Sequence, residues 1–449
     1  MKMTTTKGIQ YLFWGVSLVN VIFQVKFGIN YLTYMLYVFI FLCLCVKQID
    51  SREFLLYALF IPNKYLEILS IPIYLFFRKS LLRLKYSPKV LLFLLFVLLS
   101  GILNCFVYKG LLITTLFQVA FYYCVFSLAV EFQNELDIKK IVCFLDDIFI
   151  LEILAAILDI VFTKNIGDNI RGTFESAHYF GVFLLIYLFM LYKVKNKHRK
   201  CLNIILRCIS ASVIFILADA KHVALVVVFS FVIVLFLNAV HLKQQLLVLA
   251  TFLLVGTALF VTFAESDIGN ALIQSHEARV YLYNEKYNKK YTYIANTYEE
   301  MDSINGLIGF GAGQYGSQIS ISMSKGMIYE WNPELSFYNY AIQPFKNAIG
   351  GLMTEWYANY GIGISSMVLG YPLVSFVGMI AELGVLGYLM FWSALDSLYM
   401  KNNKTFLLAF MFLTIFDTYL EIASVFVLIL CATSIYDKKG KILIDLGVR

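Results

Sequence analysis

The chain has 449 residues, 60% of them hydrophobic and only 14% charged, with a mean hydropathy of +0.77; a soluble chain carries about 25% charged residues, so a soluble globular protein is excluded. The net charge of +7 is not a nucleic-acid footprint, because most Lys and Arg lie in short stretches between apolar runs, where they set topology. The eight cysteines all fall inside or beside apolar runs, which argues against a disulfide framework or a zinc site.

Apolar runs near the ~20 residues needed to cross a bilayer recur at 9–24, 29–46, 90–108, 111–130, 141–163, 176–192, 201–218, 222–240, 245–264, 371–395, 404–417 and 419–436. No signal peptide is evident, since Met1–Lys7 leads into the first run without a small-residue cleavage site. The stretch 53–77 is broken by Pro62-Asn63-Lys64 and is expected to enter and return as a short hairpin. That hairpin lets every basic cluster, from Lys47/Arg52 to Lys438/Lys439/Lys441, lie on the cytoplasmic side. The expected fold is therefore an all-α polytopic membrane protein with 12–14 transmembrane helices. Its parts are an N-terminal bundle (1–264), a large extracytoplasmic loop (265–370), and C-terminal helices with a short tail (371–449), with both termini cytoplasmic. The loop carries ten acidic and six basic residues and many tyrosines, and a helical pattern fits 276–301.

Several motifs could carry chemistry. Arg171-Gly172-Thr173-Phe174 precedes the run 176–192; Arg171 is either a snorkelling, lipid-binding cation or an anion site facing a cavity. In Asp219-Ala220-Lys221-His222, Asp219 can cap a helix. Lys221 then sits in a first turn, where the dipole favours an anion; it is either an interfacial lysine or the partner of a bound phosphate or carboxylate. Arg279 is a third cation on the same side, and Arg forks with a Lys point charge suit a diphosphate. Gly311-Ala312-Gly313-Gln314-Tyr315-Gly316 matches a dinucleotide fingerprint, but no apolar strand feeds it. A tight turn, with Gly309 contributing, is the better reading. Glu382, in Ala381-Glu382-Leu383-Gly384-Val385-Leu386-Gly387, is a carboxylate at membrane depth, costly and functional by default. It is either a general base or a structural partner for a cation, with Gly384 and Gly387 allowing close helix packing. His178 could transfer protons. No DxD motif or His/Asp cluster on the outer side implies a divalent metal, and no cofactor is called for.

These pieces in this order resemble the bacterial O-antigen polymerase and O-antigen ligase family. The resemblance is carried by Arg171-Gly172-Thr173-Phe174, Asp219-Ala220-Lys221-His222, Arg279, Gly309-Phe310-Gly311-Ala312-Gly313 and Ala381 to Gly387, over about 165–395. Ala177-His178 stands where the family often has Pro-Asn, and Lys221 where Arg is common. Tyr371 stands where ligases tend to carry a His, which favours a polymerase.

The resemblance implies a C-type glycosyltransferase architecture in a bacterial inner (cytoplasmic) membrane, acting on polyprenyl-diphosphate-linked oligosaccharide as both donor and acceptor. Arg171, Lys221 and Arg279 would hold the diphosphate. Glu382 or His178 would take the acceptor's proton. The turn bearing Gly309, Gly311, Gly313 and Tyr315, with the loop tyrosines, would meet sugar. A chain-length regulator and a flippase are the expected protein partners, beside membrane lipid. The alternatives are a ligase that passes finished glycan to another acceptor, and a lipid-linked oligosaccharide flippase or other transporter. A transporter would show internal repeats and central intramembrane charges, and the sequence has no such repeat.

Overall fold

A computed structural model describes residues 2–27, 31–79, 87–135, 138–164, 170–193, 201–218, 292–315, 317, 342–348, 375–398, 404–416, 420 and 422–433, with Val223, Val226 and Ile233. Among these residues the secondary structure is helical. The helices are α1 (Lys2–Phe27), α2 (Tyr31–Cys45), α3 (Ser51–Ala58), α4 (Lys64–Arg78), α5 (Pro88–Tyr108), α6 (Leu112–Glu135), α7 (Ile138–Thr163), α8 (Ala177–Lys193), α9 (Cys201–Leu217), α10 (Ser303–Ile308), α11 (Ser375–Leu398), α12 (Lys404–Phe416) and α13 (Ala423–Thr433). Four described stretches are long and apolar enough to cross a membrane: Lys7–Phe27, Pro88–Tyr108, Leu112–Phe132 and Ser375–Leu398. The protein is thus an α-helical membrane protein. The expected spans 222–240 and 245–264 lie almost entirely outside the described residues.

Local chemistry sets the helix ends. Ser87 caps α5 through Val90 N–H with Pro88 in the first turn, where its missing donor does no harm. Asp50 and Glu53 form a reciprocal capping box on α3. Asn63 caps α4 through the amides of Tyr65 and Leu66, so Pro62-Asn63-Lys64 separates α3 from α4, and the two pack on each other. Lys47, Lys79, Lys109 and Lys164 lie in the left-handed region, with φ of 58°, 56°, 55° and 54°. Each sits at a helix C-terminus, where a cation opposes the dipole.

The core is contiguous and aromatic. Phe93, Tyr122, Phe126 and Phe391 interlock α5, α6 and α11 with ring centroids 5.3–5.8 Å apart. Phe60, Phe174, Phe180 and Phe183 join the α3–α4 turn to α8.

Several charged groups inside the bundle are paired. Asp146 of α7 takes Arg207 of α9 at 2.5 Å and the Tyr187 hydroxyl at 2.7 Å. Asp147 accepts from Gln10 of α1 at 2.9 Å. Glu67 of α4, itself buried, accepts the backbone amide of Ser424 at the start of α13 at 2.9 Å. Charges at this depth are tolerated because each meets a donor or a counter-charge.

Candidate functional site

Two assemblies built on buried carboxylates hold the motifs. The first lies on the connection from α7 to α8. Glu152 and Asp159 sit seven residues apart, on one face of α7, and both are fully buried. Asp159 Oδ2 accepts the backbone amides of Arg171 and Gly172, each at 2.9 Å. Glu152 accepts the Thr173 amide at 2.9 Å and also its hydroxyl. Left unmade, each such buried hydrogen bond would cost about 1–3 kcal/mol.

Gly172 has φ +61°, and a Cβ there would lie 2.3 Å from Glu152 Oε2, so only glycine brings the turn onto the carboxylate. Phe174 anchors its far end in the aromatic cluster. The amides are spent on Glu152 and Asp159, while the Arg171 side chain is half-buried. Among the described residues it has no hydrogen-bonded or ion-pair partner; its charge acts on Asp159 only at a distance. Ser176 Oγ accepts the amide of His178 at 3.2 Å, so His178 stands in the first turn of α8, seven residues from Arg171.

The second assembly joins α5, α6, α10 and α11 around the glycine turn. Glu382 is 1% exposed. Its Oε2 accepts Gly313 N–H at 2.8 Å, and its Oε1 accepts those of Tyr315 and Ser317 at 2.9 and 3.1 Å. The backbone of α11 breaks at Gly384, with φ 68° and ψ 175°. Carbonyls freed near the break, on Ala381 and Glu382, accept the amides of Phe310 and Gly311 at 2.6 and 2.9 Å. From the other side, Asn104 of α5 donates to Gly309 O at 3.1 Å and Thr115 of α6 to Ala312 O at 2.8 Å. Gln314 Nε2 reaches Leu111 O and the Thr114 hydroxyl at 2.8 and 2.7 Å.

This geometry divides the expected site residues. Arg171 lies on the α7–α8 connection and His178 in the first turn of α8. Gly309, Gly311, Gly313, Tyr315 and Glu382 form another unit, and its character is that of a clamp. Both Glu382 oxygens are occupied by backbone amides of the glycine turn, and not by the cation that the structural reading called for. Tyr315 was expected to face a sugar; it is instead fully buried, stacked on Phe310 at 5.0 Å and bonded to Thr297 at 3.1 Å. Its ring has no open face because the turn has folded inward onto the spanning helices. Lys221 and Arg279 lie outside the described residues. The described part of the large loop is not set apart from the bundle: 292–300 is helical, and α10 packs against α11.

Glu152 and Asp159 are site-building residues that the motif reading passed over. Their signal was present: two acids at i and i+7 inside an apolar run, each costly there unless paired. Among the described residues no group of His, Cys, Asp and Glu has the arrangement of a metal site. None of the protein families, curated proteins or solved structures compared with this chain matches it.

Proposed function

We propose that the chain is a glycosyltransferase that polymerises polyprenyl-diphosphate-linked oligosaccharide units at the outer leaflet of a bacterial cytoplasmic membrane. The observation that carries this reading is the presentation of Arg171. Two buried carboxylates fix its backbone, yet its guanidinium is left without a partner among the described residues. A cation held this way is suited to gripping an anion, and its fork matches phosphate oxygens. Three further features support the reading: the motif order resembles the O-antigen polymerase and ligase family, Tyr371 stands where ligases tend to have His, and the chain is helical and membrane-bound.

In this mechanism the acceptor's hydroxyl oxygen attacks the anomeric carbon of the donor sugar. The bond from that carbon to the diphosphate oxygen breaks, and polyprenyl diphosphate leaves with the electron pair. Arg171, with Lys221 and Arg279, stabilises the charge that builds on the leaving group. His178, at the start of α8 seven residues after Arg171, is the group left to take the hydroxyl proton, since both Glu382 oxygens already accept backbone amides. α5, α6 and α7 have 21, 24 and 26 residues, at 1.5 Å rise each enough to cross a bilayer. In this reading all three cross, which puts the Arg171 turn on the face where α5 ends.

The test is the surface-glycan ladder on a gel after gene deletion, with rescue by the parent or by Arg171→Ala. A polymerase leaves single attached units and no long chains, restored by the parent and not by the variant. Polymer left unattached on its lipid carrier would mean a ligase, and units trapped on the cytoplasmic leaflet a transporter.

A further inference from the structure

We infer that residues 303–315 form a re-entrant element that lies within the hydrocarbon layer and contacts lipid acyl chains through Ile304 and Leu307. Depth is the first observation. α5 ends at Tyr108, whose hydroxyl accepts from Asn305 Nδ2 at 2.6 Å. Further along, Gly309 is bonded to Asn104, and a Cβ on Gly311 would lie 3.3 Å from the Cα of Gly101. From Tyr108 to Gly101 is about 10 Å along a helix, so the chain descends from the end of α5 as it passes from Asn305 to Gly311. α11 repeats the measure: Leu307 meets Gly384 backbone to backbone, and Gly384 is about 13 Å from the start of that helix.

The second observation is hydrogen bonding. Non-helical backbone survives in a bilayer only where its polar groups are satisfied internally. Here the amides of Gly309, Phe310, Gly311, Gly313, Gln314, Tyr315 and Ser317 all end on protein oxygens, and the carbonyls of Gly309 and Ala312 accept from Asn104 and Thr115.

The third is the surface. Ile304 and Leu307, three residues apart on α10, are 66% and 55% exposed. Leu307 adjoins Gly384, and the next residues of α11, Val385, Leu386 and Leu389, are also exposed. α11 is one of the helices apolar enough to span, so its outward leucines face lipid and the α10 side chains extend that surface. Asp302, which caps α10 through Asn305 N–H at 2.6 Å, marks the polar end.

The test needs neither substrate nor activity. Leu307→Trp, Ile304→Trp and Asp302→Trp proteins are reconstituted into phosphatidylcholine vesicles, plain or brominated in mid-chain, and their added tryptophan emission is compared with that of the parent. The expected result is quenching of the added signal at 304 and 307 by brominated lipid, and at 302 by aqueous iodide. Iodide quenching at 304 and 307 without quenching by brominated lipid would overturn the inference. Leu307→Lys against Leu307→Ala gives a second reading. The charge should lower the yield of folded protein several-fold, whereas equal yields would place the helix in water.

Discussion

Gly309 and Gly384 make room for one another's segments. A Cβ on Gly309 would lie 2.2 Å from the carbonyl oxygen of Glu382, and one on Gly384 would lie 2.1 Å from that of Leu307. Both residues have positive φ, 79° and 68°. The break in α11 and the descent of the glycine turn are therefore one joint, made from both sides.

Alanine at either position should damage that joint. Left-handed backbone adds about 1–2 kcal/mol for a residue with a Cβ, and overpacking about 1–3 kcal/mol more. Gly309→Ala and Gly384→Ala should each lower the melting temperature in detergent sharply, while Gly306→Ala, whose added Cβ meets nothing within 4 Å, should leave it in place.

Glu382 should respond in grades. Glu382→Ala orphans three buried amides, each at about 1–3 kcal/mol, and folded protein should be lost. Glu382→Gln keeps an acceptor for Tyr315 and Ser317 but turns a donor towards Gly313, so it should fold with reduced stability. A thermal melt of the Gln variant equal to that of the parent would show that the amides do not depend on the charge.

Arg171 and its two supports should separate stability from activity. Arg171→Ala removes no described hydrogen bond of the side chain, so stability should stay within about 0.5 kcal/mol while long glycan disappears. Thr173→Val and Asp159→Asn should lower both. Arg171→Lys should restore only part of the polymer, since a point charge lacks the fork.

The Asp146–Arg207 pair should be sensitive to loss of either partner. Both side chains are only 16% exposed, and leaving one charge unpaired in such a place costs about 3–5 kcal/mol. Arg207→Ala should unfold at lower temperature than Asp146→Asn combined with Arg207→Met, which removes both charges.

The membrane class and most helix positions were legible because apolar length and capping residues are local signals. Arg171-Gly172-Thr173-Phe174 and the Glu382 motif were legible as candidates for the same reason. What the residues there do was not, because it is settled across the chain. Glu382 meets amides 65–69 residues away, and Thr173 meets Glu152 across 21. Tyr315 shows the limit most clearly. A tyrosine in a polar, glycine-rich stretch reads as a surface ring until the turn is seen to bend inward on Gly309 and Gly313.

The bond from Ser424 to Glu67 spans 357 residues, and that separation has a consequence for biosynthesis. α4 is made long before α13 has been translated, so the Glu67 carboxylate must wait for that amide while the intervening helices are synthesised. The contact between α4 and α13 is therefore among the last in the chain to close, and it closes only when nearly all of the protein has been synthesised.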